Sequence, residues 1–401
     1  MNLLKQSTMH SAPLKGIKVL EFTHAVMGPC TGLLLADMGA EVVHVEPTKG
    51  DNTRRLKGFG TGYFWFYNRN KKSLAVDLKS AEGIQLIYDL VKEYDVVVEN
   101  FGPGTMDRLG LGYEKLKTFN SKLIYCSLKG FLSGPYEKRH AMDEVVQMMG
   151  GLAYMTGRKG DPLRAGTSVI DITGGMFGYI GILQALYERE KTAEGGFVKS
   201  ALFETCAFLM GQHMAYASQI DYKIPPMPSR VSAWSIYKVF DTKDNSKVFV
   251  GIISDKHWKR LCEVFEWGDW GSDERLETNN KRIDERDWFL PALDERFKAL
   301  TKNEIINRCD KGHIPFAPIS QPEDLFDDVQ LNEGNSLLHV TMPNGKTTKL
   351  PKFPLEYKGT RSGIRMDPPK IGEHTAEVLK ELNIDEATIS KMVEAGIVKT
   401  E

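Results

Sequence analysis

The sequence predicts an α/β protein, with a parallel sheet in its first half and a smaller second domain. Three observations carry this. Short runs rich in strand formers alternate with segments of helical spacing between residues 17 and 128. The loops after those runs concentrate Gly, Pro, Lys and Arg. The chain changes character at residues 224–230 (IPPMPSR), a Pro-rich linker. Strand and helix in this rhythm imply right-handed βαβ units and a parallel sheet.

In order, residues 17–22 (IKVLEF) read as a strand, and 31–39 (TGLLLADMG) as a helix stopped by Gly39. Residues 41–45 (EVVHV) and 74–77 are strands, and 79–93 is a helix with apolar Ile84, Leu86, Ile87 and Leu90. Residues 95–98 (DVVV) and 123–128 (LIYCSL) are strands flanking a short helix at 113–119. Helical patterns follow at 143–152, 174–190 and 200–218, the last rich in Met and Ala. Beyond the linker, 234–240 and 247–253 read as a hairpin, followed by helices at 256–265, 285–299 and 302–310. A second Pro break lies at 317–325. Residues 338–342 and 347–350 pair about Asn344-Gly345, a two-residue turn signal. Helices at 375–382 and 385–395 close the chain. The resulting division is 1–220, 221–325 and 326–401, with 1–12 a floppy lead-in.

Composition narrows the function classes. The 401 residues are 41% hydrophobic and 26% charged, enough apolar material for a sizeable core. Lys+Arg is 52 against Asp+Glu 53, so the basic excess of a nucleic-acid binder is missing. No stretch of about 18 uninterrupted apolar residues is present, and no membrane partner is expected. The first 13 residues lack the apolar core of a secretory signal. Five scattered cysteines without a CxxC fit a reducing cytoplasm and no metal site.

The strand-end loops are 23–30 (THAVMGPC), 47–55 (PTKGDNTRR), 100–105 (NFGPGT) and 129–131 (KGF). In a doubly wound sheet such loops line the ligand crevice. G-x-G-x-x-G and the P-loop pattern are both absent, which demotes NAD and ATP. The basic cluster 68–73 (NRNKKS) reads alone as a solvated turn, or as donors for phosphate. Asp171 stands before a long apolar helix. Alone it reads as an N-cap. Its functional reading is a carboxylate kept ionised by the helix N-terminus, with the N–H groups of Gly174 and Gly175 facing an oxyanion. The histidines are dispersed, and His140, in Lys138-Arg139-His140, is the one to watch.

Six segments in order resemble the family III CoA-transferases, over nearly the whole chain from Leu14. They are PLKGIKVLEFTHAVMGPCTGLLLADMGAEVVHVEP, FYNRNKKSLAVDLKS, ENFGPGTMDRLGLGYEKL, LIYCSLKGF, SVIDITGGMFGYIGILQALYERE and PPKIGEHTAEVLKEL. The resemblance implies a Rossmann-like large domain built from both chain ends, a smaller inserted α+β domain and an interlocked homodimer. It puts the catalytic aspartate on Asp171. It puts coenzyme A contacts on Val26, Asn70, Lys71, Lys72, Ser73, Asn100, Phe101, Arg108, Arg139 and His140. It implies an acyl-CoA and a small carboxylic acid, dicarboxylic by preference, as substrates, with no resident cofactor. Two departures stand out. Where the formyl-CoA enzymes have an arginine after the second strand, this chain has Pro47, with Arg54 and Arg55 nearby. Their glycine-rich loop has no counterpart near residues 225–237. A 2-methylacyl-CoA racemase shares the fold, but its histidine would fall at Met142, before Asp143. A CoA-binding protein without catalysis is the third reading.

Overall fold

The computed structural model describes residues 12–230, 232–342 and 345–401. The lead-in, apart from Ala12, and Asn344 of the hairpin turn lie outside the described residues. The chain divides into two compact units, one of 12–229 with 333–401 and one of 230–332. These boundaries replace 220/221 and 325/326.

The larger unit is built on a seven-stranded sheet. Its strands are β1 (Lys18–Phe22), β2 (Glu41–Glu46), β3 (Lys71–Val76), β4 (Val96–Glu99), β5 (Ile124–Lys129), β6 (Gly196–Ala201) and β7 (Val398–Lys399). The order is β7-β3-β2-β1-β4-β5-β6, all parallel except β7. The six parallel strands follow the doubly wound order 3-2-1-4-5-6, and the chain reverses direction across the sheet between β1 and β4.

Both faces of the sheet are covered, which explains near-continuous apolar strands such as Val96-Val97-Val98. Val19, Val96 and Val98 face α1 (Met27–Asp37) and the long helix α4 (Val169–Thr192). Leu20, Phe22 and Val97 face α2 (Ala81–Val91), α7 (Thr375–Glu381) and α8 (Glu386–Glu394). α2 starts where Ser80 Oγ accepts from the N–H of Gly83 at 3.0 Å, an N-cap. Between α2 and α7 in the chain come α3 (Asp143–Met149), α5 (Leu202–Leu209) and α6 (Gly211–Ala217).

α1 is buried along all eleven residues and crosses α4 closely. A Cβ on Gly175 would stand 2.6 Å from Met27 O, and one on Gly178 would stand 2.6 Å from Leu128 Cδ2. Thr31 Oγ1 donates to Gly175 O at 2.9 Å. α4 is long and apolar enough by length and composition to cross a membrane. Here its glycines lie against α1, β5 and β6.

The helix expected over 200–218 is corrected. β6 runs through Ala201, paired along six residues with β5, and only then do α5 and α6 begin. Six residues are too few for periodicity to reveal, and the long apolar segment after them set the reading.

The smaller unit has a three-stranded antiparallel sheet of Ile236–Asp241, Lys247–Ile252 and Phe316–Pro318. Its helices pack Trp258, Phe289, Leu293 and Phe297 over Phe240 and Val250. The third strand replaces the start of the Pro break read at 317–325.

Candidate active site

In a parallel sheet the segment leaving each strand lies at the carboxyl edge, and the segment entering it lies at the opposite edge. α4 connects toward β6, which is parallel to β5, so it runs against the strands and starts at the carboxyl edge. Its last turn confirms the direction, because Arg189 Nη2 pairs at 2.9 Å with Asp95, just before β4. Asp171, in the first turn of α4, therefore shares an edge with the loops after β1, β4 and β5.

Asp171 is half-buried, and its carboxyl is pushed up to about 7. Burial is the main cause. The neighbouring Asp143 carboxylate adds to it, and Arg164 opposes it. The expectation that the helix N-terminus keeps this group fully ionised is corrected. A helix end contributes about 0.3–1 kcal/mol, and desolvation outweighs it here.

Asp143 is turned toward Asp171. Its Oδ2 accepts from the N–H of Ile170 at 2.8 Å and of Asp171 at 3.1 Å, so it caps α4 from outside. The remaining N–H groups at this end are taken internally, Val169 by Thr167 O and Ile172 by Ser168 O. Gly174 and Gly175 lie beyond the first four positions, where N–H groups bond within the helix. Their expected oxyanion role is thereby corrected: they are the small residues that let α1 and α4 touch. Cys30, on α1, is not a competing nucleophile. Burial raises its thiol to about 12, and Sγ contacts Ile172 O at 3.8 Å.

The loops after β1, β4 and β5 converge. Asn100 clamps the His24 peptide, its Oδ1 accepting from His24 N at 3.0 Å and its Nδ2 donating to His24 O at 2.8 Å. The His24 and Phe101 rings lie 5.8 Å apart. A Cβ on Gly102 would stand 3.8 Å from His140 Cε1, so the loop after β5 meets the loop after β4 there. Arg108, Arg139 and His140 are exposed. Arg108 donates to Thr105 Oγ1 at 2.9 Å, and Arg139 lies over the Tyr136 ring at 4.9 Å. Val26 is 1% exposed. Its side chain belongs to the core, so it can offer a ligand only its backbone at the start of α1.

Asn70, Lys71, Lys72 and Ser73 are not at this edge, and their expected contact with coenzyme A is corrected. They enter and form the first half of β3 rather than the segment that leaves it, and all four are engaged. Asn70 Oδ1 accepts from Arg365 N and Met366 N, while its Nδ2 donates to Asp37 and Gly363 O. Lys71 is fully buried, with Nζ 2.9 Å from both oxygens of Glu21 and 3.0 Å from Pro29 O. Burial pushes the Glu21 carboxyl up, but Lys71 and His44 outweigh it and hold it low. Lys72 pairs with Glu41, Glu377 and Glu381. Ser73 Oγ donates to Glu46 and accepts from Gly372 N. The carboxyl-edge residues of β3 are Asp77–Lys79, and the exposed Lys79 was missed. Once β3 is known to be parallel, its trailing end is the signal that finds it.

Arg54 is also spent. It bonds both oxygens of Glu46 and the Pro369 carbonyl, and its guanidinium lies 3.7 Å over Phe64. Arg55 is the exposed arginine after β2, bonded to Lys49 O and Asn52 Oδ1.

The pattern of CoA-transferase family III matches residues 14–375. An acyl-CoA transferase of Fusarium pseudograminearum is 34% identical, covering 98% of this chain and 90% of its own length. Human succinyl-CoA:glutarate CoA-transferase is 30% identical over 98% of this chain and 92% of its own. A solved CAIB/BAIF family protein from Brucella suis superposes with a TM-score of 0.82 at 31% identity, covering 92% of this chain and 99% of that one.

Proposed function

The chain belongs to CoA-transferase family III, and from that premise we propose that it moves coenzyme A from an acyl-CoA donor to a small dicarboxylic acid through covalent intermediates on Asp171. The carrying observation is a half-buried carboxylate with a pKa of about 7, at the carboxyl edge where Asn100, Phe101 and His140 converge. At neutral pH a large share of it is ionised, and its raised basicity makes the ionised form a stronger nucleophile.

The ionised Asp171 attacks the donor thioester carbonyl. The C–S bond breaks, leaving a mixed anhydride and the CoA thiolate. The thiolate attacks the aspartyl carbonyl and expels the donor acid as its carboxylate, which leaves an aspartyl-CoA thioester. The acceptor carboxylate attacks that thioester, forming a new anhydride and again releasing thiolate. Thiolate attack on the acceptor carbonyl gives the product and frees Asp171. The acyl-activation energy is kept throughout.

Arg108, Arg139 and His140, exposed on the edge, are read as coenzyme A contacts, with Asn100 and Phe101 shaping the loop. Lys79 and Arg55 join them as exposed cations leaving β3 and β2. The human relative is named for succinyl and glutaryl groups, which supports a dicarboxylic acid. Five free, buried cysteines support a cytoplasmic setting.

The test is mass spectrometry of acyl transfer. Asp171→Asn and Asp171→Ala are expected to abolish it while coenzyme A still binds. Near wild-type turnover in Asp171→Ala would remove the nucleophile. A racemase would instead exchange the α-proton of a 2-methylacyl-CoA in deuterium oxide. Met142 has no proton to transfer and Asp143 is committed to capping α4, so no exchange is expected.

A further inference from the structure

A transferase whose nucleophile is a carboxylate beside a second carboxylate repels the acids it must accept. Asp143 stands beside Asp171, and Asp143 and Glu144 both lie 3.7 Å from the Arg164 guanidinium. Arg164, on the loop that leads into α4, is the cation whose charge acts on Asp171.

Arg164 is poorly satisfied. Of its five N–H donors, one is used in a hydrogen bond among the described residues, Nε to Ala165 O at 3.1 Å. Nη2 stops 3.7 Å from Asp143 Oδ1, and Nη1 stops 3.7 Å from Glu144 Oε2. Both are beyond hydrogen-bond length. Nη2 is buried without a partner. The side chain is still 30% exposed, and the Phe59 ring lies 5.5 Å from Cζ. Nη1 is the guanidinium nitrogen that is neither buried nor hydrogen-bonded among the described residues, and it can donate a charge-assisted bond to a carboxylate. Arg164 and Asp171 share no hydrogen bond, and Asp143 stands beside both. Arg164 is thus a second anchoring point whose charge is felt at Asp171.

Building on the transferase reading, we propose that Arg164 binds the far carboxylate of a dicarboxylic acceptor while its near carboxylate meets the aspartyl-CoA thioester. Phe59 covers the short carbon chain between them. Arg164 is thus a residue that selects the acceptor.

The test compares glutarate with valerate, which has the same chain length and no far carboxylate, at one saturating donor. Arg164→Gln is expected to lower kcat/KM for glutarate about 10- to 100-fold, the loss expected of a charge-assisted bond, with most of it in KM. The value for valerate is expected to be unchanged at alkaline pH, where Asp171 is ionised in both proteins, because at neutral pH the lost Arg164 charge raises the Asp171 pKa and slows both acids alike. Arg164→Lys is expected to recover part of the loss, since it keeps the charge without the fork. Equal losses for both acids, or a fall in kcat with KM unchanged, would overturn the proposal and leave Arg164 as a support for Asp143. If the unsubstituted enzyme moved coenzyme A from succinyl-CoA to none of glutarate, succinate, oxalate and valerate, the transferase reading would fall first, whereas transfer to oxalate or valerate but not to glutarate would overturn the role of Arg164 alone.

Discussion

Asp171 shows how one residue can be located correctly and described wrongly. Its place before a long apolar helix is legible in the sequence. Its acidity is not, because Asp143 lies 28 positions away and reaches it only through the fold. The expected consequence is a kcat/KM that rises with pH through about 7, as the nucleophile loses its proton. Asp143→Asn removes a neighbouring negative charge, which lowers the Asp171 pKa. The rising limb should then move to lower pH, and an unmoved limb would show that Asp143 does not tune the site. Lys71 and Arg108 make a second pair of opposites. Both look like phosphate ligands in the sequence, but one is buried against Glu21 and the other is exposed. Lys71→Ala is expected to destabilise the fold by about 3–5 kcal/mol in urea titration, through an unpaired buried carboxylate. Arg108→Ala is expected to keep stability and to weaken coenzyme A binding by about 1.5–3 kcal/mol in calorimetry.

Among the elements, the strands and helices of the first half were readable because period-2 and period-3.6 patterns are long there and glycines punctuate them. β6 and β7 were not. One is masked by the apolar helix that follows, and the other is two residues long. The basic segment 68–73 was recognised as unusual, but only strand direction decides which edge it occupies. The α1–α4 crossing makes its own prediction. Gly175→Val would bring a side chain against Met27 O and Cys30. It is expected to cost about 1–3 kcal/mol by overpacking, read from the denaturation midpoint. Activity should fall more steeply, because α4 carries Asp171. Unchanged stability would mean that the two helices can separate without penalty.

The larger unit as a whole leaves an apolar surface uncovered. Met176, Ile180 and Tyr187 lie exposed on α4, Phe208 is 71% exposed on α5, and β6 is an open edge with Phe197 at 50%. Patches of this kind mark interaction sites, and β6 offers unpaired backbone groups. The homodimer that the family resemblance implies would cover them, and sedimentation at micromolar concentration is expected to give twice the chain mass. A folded, active monomer would contradict it. Interlocking of two chains has no signature in periodicity, and only the family resemblance implies it.

Asn70 gives the molecule a fixed order of completion. It holds residues 363–366, and Ser73 holds Gly372 and receives the N–H of His374, so β3 gets its outer neighbours from the far end of the chain. During synthesis the first 229 residues emerge with that side of β3 bare, and the entire smaller unit is made before the covering segment arrives. For that interval the nascent chain carries a strand able to recruit any other unpaired strand. The buried polar hooks Asn70 and Ser73 are then as much a recognition device for the chain's own late segment as a source of stability. That side of β3 is completed only when residues 363–374 and 398–399 are in place.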